Sequence, residues 1–241
     1  MACQILAGCA RGSVESRGQN RGAPPAPVAP RDAPPRERVQ VWERDCSAGV
    51  AGACFNLGIL YDFADGVARD LGKAFAMYKK ACDGGDTLGC TSLAMLYANG
   101  EGVARDPALA VSLYERACEQ NGLQACSNLG IMYEMGHGVP KDAARSVALF
   151  SKACTGDFAE ACTKLGVMYE NGAGVTKSMA MAKDLYKRGC DGRDPIGCRY
   201  YAGGGGLGED RLKFVDQLKK ECAEGNEKSC TKLRSGNPFD D

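Results

Sequence analysis

The chain predicts an all-α fold: an α/α superhelical repeat solenoid of disulfide-linked helix hairpins. Three features carry that expectation. Cysteines recur on a fixed ruler, small and aromatic residues recur beside them at helical offsets, and glycine pairs punctuate the chain between. Cys46, Cys82, Cys118, Cys154 and Cys190 stand 36 residues apart, each with a partner eight residues on: Cys54, Cys90, Cys126, Cys162 and Cys198. A sixth pair, Cys222 and Cys230, keeps the eight-residue spacing but arrives 32 residues after the fifth. A period of this length denotes stacked two-element units, not one globular core. Evenly spaced pairs denote a disulfide framework, and hence an oxidising compartment.

Residues 1–36 differ in kind. Between Arg11 and Arg38 lie six prolines and several arginines, with almost no large apolar side chain. Such a segment buries too little surface to order itself and reads as a semi-extended tether. Ahead of it, Leu6-Ala7-Gly8-Cys9 resembles the lipobox of bacterial lipoproteins, in which the cysteine is acylated. Met1 to Ile5 supplies neither the basic start nor the apolar stretch of a signal, so either the start lies upstream or the match is chance. Loss of Cys3 and acylation of Cys9 would leave twelve cysteines, all in the six ruled pairs.

The repeat region, 37–235, opens with Val39 and Trp42, placed before Cys46 as Phe75 and Tyr78 are before Cys82. Glu37 to Asp45 is therefore expected as a lone capping helix. Each unit then has a helix A on the stripe of the second cysteine, with Leu57, Leu93, Leu129 and Leu165 three residues on. Gly58, Ala94, Gly130 and Gly166 follow at four, and Tyr61, Tyr97, Tyr133 and Tyr169 at seven. Offsets of 0, 3, 4 and 7 make one helical face, and its small residue admits a close neighbour. Asn99-Gly100-Glu101-Gly102 and its counterparts supply the positive-φ residues that end helix A. Asp70, Asp106 and Asp142 then fit helix starts, with Pro107 at a first helical position. Helix B carries the stripe Ala74-Met77-Tyr78-Ala81 and its equivalents, and ends at the first cysteine of a pair. Gly203 to Gly206 interrupts the fifth unit, so the last quarter is expected to be less ordered, and 236–241 is a tail.

Charge and composition exclude several classes. Lys plus Arg equals Asp plus Glu at 30 each, so no overall charge favours nucleic acid or an anionic membrane. No run approaches the roughly 18 apolar residues of a membrane span, leaving a lipid anchor as the expected route to a membrane. Zinc sites use close C-x-C or C-x₂₋₄-C ligands, whereas these pairs are eight apart and the chain has one histidine. No metal or other cofactor is expected.

The block carried by Leu57-Gly58, Tyr61, Gly66-Val67 and Asp70 recurs as Leu129-Gly130, Tyr133, Gly136 through Val139 and Asp142. Leu165-Gly166, Tyr169 and Gly172 through Val175 repeat it again. It resembles the Sel-one-like repeat, a relative of the tetratricopeptide repeat. The cysteines eight apart at every junction resemble the secreted cysteine-rich Hcp branch, some of whose members carry a penicillin-binding or β-lactamase label. That resemblance implies an extracytoplasmic α/α superhelix. Serine β-lactamases combine S-x-x-K with S-D-N and K-T-G elements. Ser229-Cys230-Thr231-Lys232 matches the first and the others are absent, while Ser229 fills the slot of Ala53, Gly89, Ala125, Ala161 and Gly197. A small packing residue accounts for it, and no catalytic residue is assigned. His137 falls in a loop slot shared with Asp65, Glu101 and Ala173, which offers it no catalytic partner.

Function then rests on the open face of helix A. Positions two and nine after the second cysteine point away from the core stripe. They are Asn56 and Phe63, Ser92 and Asn99, Asn128 and Met135, Lys164 and Asn171. Asparagine both donates to and accepts from an extended backbone, and Phe or Met adds adaptable apolar contact. The expectation is a monomeric, non-catalytic extracytoplasmic scaffold, periplasmic or secreted, that holds a protein or peptide partner of the cell envelope. The alternative is action on β-lactams or cell-wall peptides.

Overall fold

The computed structural model describes residues 35–203, together with 217, 219–222, 224 and 230. Its helices follow one another as α1 (Pro35–Ser47), α2 (Ala51–Phe63), α3 (Leu71–Asp83), α4 (Thr87–Asn99) and α5 (Pro107–Glu119). Then come α6 (Leu123–Met135), α7 (Ala143–Thr155), α8 (Ala159–Asn171), α9 (Met179–Asp191) and α10 (Pro195–Tyr201). The even-numbered helices are the A helices and the odd-numbered ones the B helices. The capping helix α1 is longer at both ends than Glu37–Asp45 and starts inside the expected 1–36 tether, because proline suits a first helical turn. Helix α10 stops at Tyr201, just ahead of Gly203 at φ 83°.

Local chemistry sets each boundary. Asp70, Asp106 and Asp142 accept from the backbone N–H of Lys73, Leu109 and Arg145 at 2.9, 3.0 and 2.9 Å. Ser178 does the same for Met181 at 3.3 Å, a cap that the aspartate pattern does not reveal. Each such cap contributes about 1 kcal/mol. Helices α4, α6 and α8 end on Gly100, Gly136 and Gly172 in the left-handed region, whereas α2 ends there on Ala64 at φ 59°. The second glycine of the loop meets a different demand. A Cβ on Gly138, at φ 74°, would lie 2.4 Å from the Pro107 carbonyl oxygen of the preceding unit.

Packing follows the two stripes. Gly58, Gly130 and Gly166 lie under the rings of Tyr78, Phe150 and Tyr186, where a Cβ would come within 2.6–2.8 Å of ring carbons. Those rings are fully buried, so each close approach removes a whole aromatic side chain from water. The six cysteine pairs are joined, Cys46–Cys54, Cys82–Cys90, Cys118–Cys126, Cys154–Cys162, Cys190–Cys198 and Cys222–Cys230, with Cα atoms 4.2–4.8 Å apart. Every one of the first five ties the end of a B helix to the next A helix.

A second inter-unit tie is cationic. Arg116, Lys152 and Arg188 donate to the carbonyls of Cys82, Cys118 and Cys154 at 3.1, 2.7 and 2.9 Å. Each cation thereby adds a bond to a carbonyl that already accepts from the turn after the previous B helix, at an end where the helix dipole favours positive charge. Besides sequential neighbours, contacts run from α2 to α4, α4 to α6 and α8 to α10. The A helices thus crowd the inner side of the curve.

Candidate functional site

The inner face is built from A-helix residues whose polar groups reach down to the B-helix aromatics. Tyr78 Oη donates to Asp62 Oδ2 at 3.2 Å, and Tyr186 Oη donates to Glu170 Oε2 at 2.5 Å. Both acids stand eight residues after the second cysteine, and both phenols lie sixteen residues further on. Burial, then the neighbouring carboxylate, pushes both phenols well above the ordinary tyrosine range. From the next A helix, Ser92 acts on the Tyr78 phenol and Asn128 on the Tyr114 phenol in the opposite sense to burial. Burial pushes the Tyr114 phenol up to about 12, with the Asn128 bond acting the other way. At neutral pH these phenols therefore keep their protons.

Between α4 and α6 the inner face opens into a cleft of about 520 Å³. It is lined by Met95, Ala98, Ile131, Met132 and Tyr114, together with the polar side chains of Asn99, Arg105, Gln124, Asn128 and His137. No carboxylate lines it. A smaller cleft of about 220 Å³ lies between α8 and α10, with Lys164, Val167, Asp194 and Tyr200 among its lining residues.

The residues expected at the groove divide by position. Those at offset nine are the last of each A helix and are exposed: Phe63 (74%), Asn99, Met135 (51%) and Asn171. Those at offset two, Asn56, Ser92, Asn128 and Lys164, are half-buried beside the neighbouring A helix. Asn99 and Asn128 come together in the larger cleft, and Lys164 lines the smaller one. Asn99 Nδ2 donates to Glu101 at 2.9 Å, and Lys164 pairs with Glu160 at 3.3 Å. Tyr114, Arg105, Gln124 and Met95 are cleft residues that the amphipathic pattern does not identify. A signal existed for the first two, since the slot of Asp62 and Glu170 holds Ala98 in this unit. Cys9, Ser229 and Lys232 lie outside the described residues, as does the tail. No described helix is long and apolar enough to cross a membrane.

A curved stack of stapled hairpins with an inner face of amide, phenol and thioether groups defines a helical repeat scaffold. The chain belongs to the Sel1 repeat family, whose profile matches residues 51–86, 87–122, 123–158 and 159–194. Each match runs from one A helix to the turn after its B helix. Among solved structures, the chain is similar to a protective antigen of uropathogenic Escherichia coli that displays an SLR fold. The two share 29% identity and a TM-score of 0.64, over 79% of this chain and 42% of that one. A Sel1 repeat protein from Oxalobacter formigenes is 25% identical with a TM-score of 0.66, over 68% of this chain and 66% of its own. Cysteine-rich protein B of Helicobacter pylori is 30% identical over 54% of this chain and 93% of its own, with a TM-score of 0.44. This chain thus spans less than half of the first relative and about two thirds of the second. No curated protein sequence is a significant match.

Proposed function

We propose that the protein is a non-catalytic extracytoplasmic scaffold whose concave face holds a segment of another envelope protein. The observation that carries this reading is the cleft between α4 and α6, which Asn99 and Asn128 line together with Met95, Ile131 and Met132 on a frame fixed by disulfides. A frame that does not reorganise on binding spares the entropy of ordering it, which is how a shallow polar groove gains affinity. Six disulfides support an oxidising location, periplasmic or secreted, since such bonds do not persist in a reducing cytosol. Within this reading Cys9 is the acylated anchor, the scaffold acts as a monomer, and the row from Asn56 to Asn171 tracks the bound segment.

The test is capture from envelope extract by the oxidised protein, compared with an Asn56→Ala/Asn128→Ala variant of unchanged helicity. Loss of one specific partner in the variant is the expected result, and equal capture by both proteins overturns the reading. Stoichiometric acylation by a labelled penicillin, abolished by Ser229→Ala, would replace it with the hydrolase alternative.

A further inference from the structure

The first unit contains a complete carboxylate receptor, and the second contains the same receptor without its carboxylate. In the first, Asp62 accepts from Tyr78 Oη at 3.2 Å and faces the Arg69 guanidinium at 3.7 Å. Arg69 is held in place by donating Nε–H to the Asp62 carbonyl at 2.8 Å. Thirty-six residues on, these three positions are Ala98, Tyr114 and Arg105. Arg105 Nε donates to the Ala98 carbonyl at 3.0 Å, so the arginine repeats the anchoring of Arg69. Tyr114 is 3% exposed and lines the cleft together with Asn128. Its own O–H proton then has no carboxylate to meet, because alanine stands where the acid stood. Glu101, the nearby acid on the same loop, is engaged by Asn99 and does not line the cleft.

We infer that the cleft between α4 and α6 binds the side-chain carboxylate of an Asp or Glu in the partner's segment, seated where Asp62 sits in the preceding unit. Tyr114 donates to one carboxylate oxygen and Arg105 faces the other, while Met95 and Met132 receive the side chain's methylene stem. A carboxylate is preferred to an amide because Tyr114 and Arg105 both offer donors, one of them cationic, and charge-assisted bonds are the stronger ones. The inference rests on the scaffold reading and narrows its partner to an acidic segment.

His137 is the chain's single histidine and lines this cleft, so its ring C–H signals in NMR report occupancy without overlap. The full oxidised protein is titrated with acetylated, amidated glycyl-glutamyl-glycine and with its glutaminyl counterpart. Saturable shifts of His137 with the glutamyl peptide, at least about tenfold tighter than with the glutaminyl one, are expected for charge-assisted recognition. Ala98→Asp should refill the receptor from within and weaken the glutamyl peptide by a similar factor. Its fold is secured by the precedent of the first unit and checked by circular dichroism. Tyr114→Phe should weaken binding severalfold and leave the residual preference to Arg105. Equal shifts with both peptides, or undiminished binding to Ala98→Asp, overturn the inference. If partner capture still depends on Asn56 and Asn128 in that case, the scaffold reading survives alone.

Discussion

Removing the central staple by Cys118→Ala/Cys126→Ala tests whether the joints hold the stack together. The bridge closes a loop of roughly nine residues, for which chain-entropy reasoning gives about 2.6 kcal/mol. Both cysteines are buried, so loss of the sulfurs adds a smaller packing cost. Position matters as much as size. Helices α1–α5 lie on one side of this joint and α6–α10 on the other. In a quasi-one-dimensional stack, stability is the sum of unit terms and nearest-neighbour interface terms. Weakening one interior interface by 2–3 kcal/mol therefore lets the two sides unfold separately.

Urea unfolding followed by far-ultraviolet circular dichroism, without reductant, reads both effects. The variant should show a lower midpoint and a shallower or two-step transition. The matching variant at the end of the stack, Cys46→Ala/Cys54→Ala, should lose similar stability at that joint while the main transition stays steep. A central variant with the parent's midpoint and slope would refute the reasoning, since packing and the Lys152 tie would then suffice.

Other predictions follow from single residues. Gly138→Ala combines a left-handed backbone with a backbone clash and should cost well over the roughly 1–2 kcal/mol of Gly85→Ala, which meets nothing within 4 Å. Paired thermal melts compare the two. Ser146 Oγ is buried without a partner where the other units have Ala74, Ala110 and Ala182, so Ser146→Ala should stabilise by about 1 kcal/mol. Ala64→Gly should raise the melting temperature by relieving an alanine at a left-handed helix end, a net gain of roughly 0.5–1 kcal/mol. Tyr114 gives a pH signature. Its folded value of about 12 exceeds the ordinary 10, so the stability it confers is complete below pH 10 and is lost as pH rises towards 12. Tyr114→Phe should flatten the alkaline limb of urea midpoints measured against pH.

Much of this architecture is legible because its rules act at fixed short offsets. The stripe of Leu57, Gly58 and Tyr61, the Asp70 cap and the cysteine pairs are all set within one or two turns of helix or one turn of chain. The structure adds that Gly58 owes its smallness to the Tyr78 ring, a contact within the same unit. What stays hidden depends on how one unit rotates against the next. The motif Lys152-Ala153-Cys154 is visible, but that Lys152 reaches Cys118 depends on the inter-unit angle. The periodicity of an isolated helix puts offset two on the open face. Ser92 and Asn128 are half-buried because the adjoining A helix covers part of that face. The cleft is hidden for the same reason, since the relation of Ala98 to Tyr114 spans sixteen residues and a change of helix.

Frame and inner face also differ in how far the units resemble one another. Frame positions scarcely vary across the four units: leucine at offset three, glycine or alanine at four, tyrosine at seven. Offset two runs Asn56, Ser92, Asn128, Lys164, and offset eight runs Asp62, Ala98, Glu134, Glu170. The physical reason is that staples, caps and ring-under-glycine contacts fix the curve without using these inner side chains. Changing one alters what the groove presents and leaves the joint intact. Asp62 and Glu170 are spent on phenols of the chain itself, so their units offer a partner little unsatisfied polarity. Ala98 is the slot where that internal acid is missing, and a donor pair left open on a rigid frame is where an external acid gains most.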